Sequence, residues 1–516
     1  MDHPRSPSPP RDGHDAIDPV LDRLAARPDA PDRVREPEAF LQWAQGSDDA
    51  LDGPLPLSRY LAELRSGRPD LLDAFPQIPG CHVANYREWA RMHGQHEVPL
   101  ADRFVPPVLP APPPRYLQAG VNLAGFLTAE LGVGEVARRI AIALRSASVP
   151  LATTTFARTS NRTALEFAAD DDARFDTNIV CVNADSWGGF AQHVGPTFFE
   201  GRRTIAVWFW ETSIFPSMFH SAFDGVAEIW AASAYVADIL REAAPANLPV
   251  VEFPLPIIRP SVSSADMRDV LGLPRDRPFF VTSFDYNSVT ERKNPGGAVC
   301  AFRAAFPDAD GPVLVIKSIN GERHRDDVAR LHALAEGRDD IVLHDGYLDA
   351  ADNTALLAQA DCVVSLHRAE GFGLNIADAM ALGTPVIATA YGGNLTFGLD
   401  DDTWLVPASE IRVGTGHFPY DADALWGDPD LDVAVTHLRD VAADPTASRL
   451  RADRTRERVL RAHTPETTGV FIRNRIAGSR ADRERDAAVR TQAARAAETL
   501  RGRVGAAKRR IEHRFC

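Results

Sequence analysis

Cys362-Val363-Val364-Ser365-Leu366-His367-Arg368-Ala369-Glu370-Gly371-Phe372-Gly373-Leu374-Asn375-Ile376-Ala377-Asp378-Ala379-Met380 is the stretch on which the reading of this chain turns. An apolar run of strand length passes through a glycine-flanked turn into a short helical pattern, which stops at Gly383 just before Pro385. Gly371 and Gly373 let the backbone come close to a ligand, and the N-terminal amides of a helix, at the positive end of its dipole, suit a phosphate. Ile376 and Met380 mark the buried stripe of that helix, while Asn375 and Asp378 share another face three residues apart. Glu370 in the turn and Asp378 on the free face are therefore expected to reach one ligand together.

On either side of this stretch, strands alternate with helices, the pattern of parallel sheets covered on both faces. Strands are expected at Tyr116–Leu123, Val149–Phe156, Asn178–Asn183, Thr204–Trp210, Glu228–Ala232 and Val250–Phe253, with a helix over Val133–Ser146. A second series follows at Phe279–Phe284, Val313–Lys317, Ile341–His344, Cys362–Leu366 and Pro385–Thr389. The fold class is thus α/β, with two Rossmann-like domains, residues 115–260 and 261–470, facing across a cleft. In such sheets ligands bind beyond the carboxyl ends of the strands. Ahead of them, residues 1–36 read as a disordered, solvated tail rich in Pro, Asp and Arg. Residues 37–114 read as an accessory helical module with Trp43, Phe75 and Trp89 as its small core, closed by the Pro-dense linker Pro106–Pro114. Residues 471–516 hold about 13 Lys or Arg against about 5 Asp or Glu, and read as a basic helical tail, either a solvated helix face or a weak peripheral contact with an anionic membrane surface.

At 516 residues the chain is long enough for two or three cores. Its formal net charge of -15 argues against nucleic acid as a partner, because tracking phosphates needs clustered Lys and Arg. Five scattered cysteines, with no C-x-x-C pair, indicate neither a zinc site nor a disulfide framework. No run approaches the ~20 apolar residues of a membrane span. The expected setting is cytoplasmic, extended to the inner face of the membrane only if the basic tail attaches there.

The 362–380 run resembles the E-x7-E segment of GT-B retaining glycosyltransferases, family 4 in particular, and Met380-Ala381-Leu382-Gly383-Thr384-Pro385-Val386-Ile387 matches its usual continuation. That resemblance implies a nucleoside-diphosphate sugar donor, with Glu370 on the sugar hydroxyls and the second acid, here Asp378 instead of Glu, on the ribose. Gly371, Phe372, Gly373 and Leu374 would lie along the donor. A second patch, Ser283-Phe284-Asp285-Tyr286-Asn287-Ser288-Val289-Thr290-Glu291-Arg292-Lys293-Asn294-Pro295, is similar to the loop after the first strand of the family's C-terminal domain. Asn294 and Pro295 can start a helix there, with Val299, Phe302 and Phe306 on its buried side. Arg292 and Lys293, just ahead of that helix, complement a diphosphate. Where the family commonly carries an earlier Arg, this chain has Asp285 and Asn287. Lys317, at a strand end, is a third candidate cation, and Tyr391-Gly392-Gly393-Asn394 resembles the family's glycine turn beside the donor.

In the first half, Gly132-Val133-Gly134-Glu135-Val136-Ala137 fits a G-x-G-x-x-A fingerprint but falls well past the first strand, so it reads as the glycine loop facing the donor across the cleft. Asp185, Glu211 and Ser233 each follow a strand and share one rim. The aromatic run Trp208-Phe209-Trp210-Glu211 resembles a subgroup of these transferases acting in polysaccharide assembly, where Glu211 and Asp185 would meet an acceptor. Most of those aromatics are expected to be core, and Ser233 a helix cap.

The expected reaction moves a sugar from a nucleoside-diphosphate sugar to a saccharide or glycolipid acceptor, with Glu370, Arg292 and Lys293 as its catalytic groups. Charge building on the leaving diphosphate calls for preorganised cations and amides. No cofactor is expected, and no metal: Asp308-Ala309-Asp310 precedes its strand and reads as a loop. The rivals are a sugar-nucleotide epimerase or hydrolase of the same fold and a non-catalytic sugar-nucleotide-binding subunit. A dehydrogenase would need the fingerprint in another place.

Overall fold

In a computed structural model the residues described are 19–47, 57–78, 82–90, 117–170, 172–259, 261–397, 402–478 and 480. The chain forms two compact units, residues 1–116 and 117–516. The Pro-dense linker and the tail beyond residue 480 lie outside the described residues, and with them the expected membrane contact.

The first unit is a cluster of short helices. Pro19–Ala25 is one of them, with Val20, Leu21 and Leu24 buried. This corrects the solvated tail expected up to residue 36: these residues sit at i, i+1 and i+4, a helical stripe too short to stand out from its Pro- and Asp-rich surroundings. Ser58 caps Arg59–Ser66 by accepting from the Leu61 amide at 3.2 Å. The core is also corrected, because Phe40, Tyr60, Tyr86, Leu61 and Leu64 fill it while Trp43, Phe75 and Trp89 lie half-buried at its edge. There the Trp43 ring carries Arg59 at 5.1 Å, the position of an amphipathic indole with one side in water.

The second unit holds two six-stranded parallel sheets. One runs β2-β1-β3-β4-β5-β6, from β1 (Gln118–Gly125), β2 (Leu151–Thr155), β3 (Phe175–Cys181), β4 (Arg203–Val207), β5 (Glu228–Ala231) and β6 (Val250–Glu252). The other runs β12-β11-β10-β7-β8-β9, from β7 (Phe279–Asp285), β8 (Val313–Ile319), β9 (Ile341–Asp345), β10 (Cys362–Ser365), β11 (Val386–Thr389) and β12 (Trp404–Val406). The strands are near-continuous apolar runs because both faces are covered. Phe279, Val281, Val313, Val315 and Val363 enter one core, and their neighbours Phe280, Leu314, Ile316, Cys362 and Val364 enter the other. The first of these cores also contains Val121, Leu123, Ile179 and Ile205, so it is continuous across both halves. Each fully buried side chain of this size stabilises by roughly 2 kcal/mol.

Past the helix Pro445–Ala462 the chain returns to the first half. Residues 465–478 are helical, with Ile472 and Ile476 buried in the shared core. Arg475 pairs with the fully buried Glu228 at 2.8 Å, and Arg480 with Asp176 at 2.7 Å. Up to residue 480 this corrects the reading of 471–516 as a solvated tail: Arg475 and Arg480 answer acids of the first sheet, and Ile472 and Ile476 are core. Among the described residues, no helix is long and apolar enough to cross a membrane.

Candidate functional site

Because every strand of both sheets is parallel, the residues that follow them collect on one rim of each half. In the second half these are Asp285 at the end of β7, Lys317 near the end of β8, Glu370 after β10 and Tyr391–Asn394 after β11. In the first half they are Asp185, Glu211 and Ser233, after β3, β4 and β5.

Glu370 is the centre of the site. After β7 a single helical turn, Thr290–Lys293, ends at Asn294, whose φ of 52° reverses the chain into the helix Pro295–Ala305. Asn294 caps that helix by accepting from the Gly297 amide at 3.1 Å and donates to the Leu366 carbonyl at 2.8 Å, tying this loop to the end of β10. Val299 and Phe302 are fully buried beneath it, and Phe306 packs at the margin. Arg292 and Lys293 are thereby delivered to Glu370. The Lys293 ammonium pairs with Oε1, and Arg292 Nη1 lies 3.5 Å from Oε2 while donating to the Ala369 carbonyl at 2.9 Å.

Burial alone would raise the Glu370 carboxyl, but the charges of Lys293 and Arg292 outweigh it and hold the group down to about 2. Burial and the neighbouring Arg292 depress the Lys293 ammonium against the pull of Glu370. Glu211 of the facing rim also acts on both cations, so Arg292 and Lys293 are shared between two carboxylates, and an incoming anion would compete with these for them. Lys317, 7% exposed, stands on the same rim: burial lowers its ammonium to about 8, even with Asp285, Glu130 and Asp345 around it.

The loops at 370–373 and 391–394 interlock. The Gly393 amide donates to the Glu370 carbonyl at 2.6 Å, and a Cβ at Gly393 would stand 1.9 Å from the Gly371 carbonyl oxygen. Gly373, with φ of 86°, opens the helix Leu374–Leu382 without a side-chain cap, so its first amides have no side-chain acceptor. The Phe372 side chain is core, packed on Phe397 with ring centres 4.8 Å apart, so only its backbone is offered to a ligand. His367, fully buried beside these loops, shares hydrogen bonds with Ser365, Tyr391 and Asn394 and is held neutral by burial. Neither its role nor that of Arg368, which braces Asp428 at 3.2 Å, was foreseen from the sequence.

Asp378 departs from expectation. It does not share a partner with Glu370, because Arg139 of the facing helix Gly132–Ser146 takes both its oxygens, at 2.7 and 2.8 Å. Glu135, one turn earlier, holds the other side of Arg139 at 2.7 Å. Arg139 is 3% exposed, and among the described residues its Nη1 has no hydrogen-bond partner. The signal for it was present, since Glu135 and Arg139 are spaced i, i+4 just after the glycine loop. That loop divides as well. Gly132 faces Leu374 across the cleft, but Gly134 packs inward, where a Cβ would meet the Phe126 carbonyl oxygen at 2.5 Å. Gly134 thus serves helix packing and does not line the cleft.

Ser233 caps the helix Ala234–Ala243 through the Val236 amide and donates across the cleft to the Gly371 carbonyl at 2.8 Å. Asp185 lies exposed in the first turn of the helix Ala184–Val194. The Glu211 carbonyl accepts from the Tyr235 hydroxyl at 2.9 Å, and its side chain from that of Tyr420 at 2.8 Å. Trp208, Trp210 and Phe215 are buried, as expected of core.

Two parallel sheets with their carboxyl rims across a cleft, and an acid set between two cations on one rim, define the GT-B class. Residues 265–411 match the family model described as glycosyl transferases group 1. A 96-residue stretch is 34% identical to a D-inositol 3-phosphate glycosyltransferase of Arthrobacter sp. (strain FB24), covering 19% of this chain and 22% of that relative. Sucrose-phosphate synthase from Thermosynechococcus elongatus superposes with a TM-score of 0.52 at 16% identity, over 71% of this chain and all of that one. Anabaena HepE, solved in complex with UDP and glucose, gives 0.50 at 15% identity, over 70% of this chain and all of its own. These two likenesses establish the fold.

Proposed function

We propose that this chain is a retaining glycosyltransferase that moves a sugar from a nucleoside-diphosphate sugar to a saccharide or glycolipid acceptor in polysaccharide or glycoconjugate assembly. The observation that carries the reading is the buried set of Glu370, Arg292 and Lys293 at the strand ends of a glycosyl transferases group 1 segment. HepE, which shares the fold, was solved with UDP and glucose, a ligand pair of the kind this set would take.

In this reading Glu370 accepts hydrogen bonds from the donor sugar, and a bound diphosphate draws Lys293 and Arg292 toward its own oxygens. Those cations, with Lys317 and the open amides at Gly373 and Leu374, stabilise the charge that builds as the diphosphate leaves. Because Arg292 is already fixed by the Ser288 and Ala369 carbonyls, it needs little reorganisation when the bond breaks. Asp378 and Arg139 lie on the ribose side of the donor. The backbones of Gly392 and Gly393 flank the sugar, with Gly132 opposite. Asp185 and Glu211 face the acceptor. The positive charge comes from side chains, without a metal ion.

Incubation with nucleoside-diphosphate sugars, with and without sugar acceptors, tests the assignment. Acceptor-dependent release of the nucleoside diphosphate, with the anomeric configuration kept in the product by NMR, is the expected result. Turnover that ignores the acceptor would mark a hydrolase or an epimerase instead.

A further inference from the structure

Between β12 and the helix Leu431–Ala443 the chain makes an antiparallel hairpin, β13 (Ala408–Arg412) and β14 (Leu425–Pro429). It belongs to neither large sheet. On the second half it is held by the Gly427 amide, which donates to the Arg368 carbonyl at 2.7 Å, and by Arg368 lying over the Trp426 ring at 5.6 Å. On the first half the Leu425 amide donates to Ser213 Oγ at 2.7 Å and the Ser213 amide to the Leu425 carbonyl at 3.2 Å. The hairpin is therefore a strap across one side of the cleft.

The strap carries Tyr420 to the reaction centre. Its ring packs against Trp210 at 5.4 Å on one side and belongs to the cluster of Ala369 and Trp426 on the other. Its hydroxyl donates to Glu211 Oε2 at 2.8 Å. Arg292, Glu211 and Glu370 all act electrostatically on the phenol, which burial keeps protonated. Among the described residues no hydrogen bond uses Glu211 Oε1, so the carboxylate retains accepting capacity, as does the phenol oxygen. A carboxylate beside an aromatic ring, with hydrogen-bonding capacity left over, suits a pyranose, whose ring has an apolar face and hydroxyl edges. Glu211 on the rim of the first half and Tyr420 on the strap both stand within electrostatic reach of Arg292, one of the cations that would take the diphosphate.

We propose that Tyr420 positions the acceptor: with Glu211 it binds hydroxyls of a hexopyranose ring, so acceptor selection is built partly into the 408–429 strap. This rests on the glycosyltransferase reading above.

The test uses the full chain saturated with whichever of UDP, GDP or ADP binds, and measures by saturation-transfer NMR the binding of methyl gluco-, galacto- and mannopyranosides. At least one glycoside is expected to bind wild type. Tyr420→Phe keeps the ring and loses the hydroxyl, so it should weaken that glycoside about tenfold while leaving the nucleoside diphosphate Kd unchanged and lowering the melting temperature by no more than the loss of one hydrogen bond does. Glu211→Gln should weaken the same glycoside. The proposal is overturned if the nucleotide binds but no glycoside does, if Tyr420→Phe binds the glycoside as wild type does, or if it loses glycoside and nucleotide equally. In each of these cases the donor reading stands. Failure of all three nucleotides to bind would remove that reading, and this one with it.

Discussion

Arg139 holds Asp378 through a single nitrogen, Nη2, with both carboxylate oxygens within 2.8 Å, and so links the helix after the glycine loop to the helix after Glu370. Asp at this position is one methylene shorter than the Glu of the E-x7-E pattern, and Arg139 reaches across to it. Asp378→Ala would leave a buried guanidinium with Glu135 alone, and should destabilise the protein by about 3 kcal/mol. A double-mutant cycle with Arg139→Met should show coupling above about 1 kcal/mol in urea denaturation. Additive effects would mean that the contact carries no energy.

Lys317 sets a pH dependence. Its ordinary ammonium titrates near 10.5 and the buried one near 8, so between these values the unfolded chain holds a proton that the folded chain has released. Stability should therefore rise with pH from about 8 to about 10.5, and the cost of the buried charge is fully present below pH 8. Lys317→Met should remove the share of that rise due to Lys317, leaving the part due to the depressed Lys293, and be more stable than wild type at pH 7, on the order of 2–3 kcal/mol. If a diphosphate binds beside Lys317, calorimetry near pH 8.5 in buffers of different ionisation enthalpy should show greater proton uptake in wild type than in the variant.

Glu370 gives the opposite limb. Its folded carboxyl is held to about 2 against an ordinary 4.5, so the stability it contributes is complete above pH 4.5 and is lost as pH falls toward 2. Acid denaturation followed by circular dichroism should be shallower over that window in Glu370→Gln. An unchanged acid limb would place the carboxylate outside the field of Lys293 and Arg292.

Gly393 tests the interlocked loops. In Gly393→Ala the new methyl would meet the Gly371 carbonyl at 1.9 Å and Ser233 Oγ at 2.8 Å, so the 370–373 turn must move. A loss of about 2 kcal/mol in stability and at least tenfold in nucleotide affinity is expected. Gly188→Ala, in the helix Ala184–Val194 with nothing within 4 Å, should stabilise by roughly 0.5–1 kcal/mol.

The two sheets were legible because their strands are apolar runs bounded by turn residues, as at Val313–Ile319 and Cys362–Ser365, and parallel topology then placed Glu370, Lys317 and Glu211 on the carboxyl rims. What stayed hidden was side-chain pairing across large sequence separations. Nothing local in Asp378 indicates that a residue 239 positions away takes its carboxylate. Likewise nothing in Phe418-Pro419-Tyr420 announces a partner at Glu211, because the strap alternates too weakly to read as a hairpin and its strands are only five residues long. The helix at Pro19–Ala25 was masked by composition, and the burial of Ile472 and Ile476 by the arginines around them.

The most direct test of the central claim is isothermal titration of UDP-, GDP- and ADP-hexoses into wild type and Glu370→Gln. Wild type should bind at least one of them, and the variant should bind the parent nucleoside diphosphate while losing at least tenfold in affinity for the sugar form. Absence of binding by wild type, or a variant that binds the nucleotide sugar as wild type does, would contradict a donor site centred on Glu370.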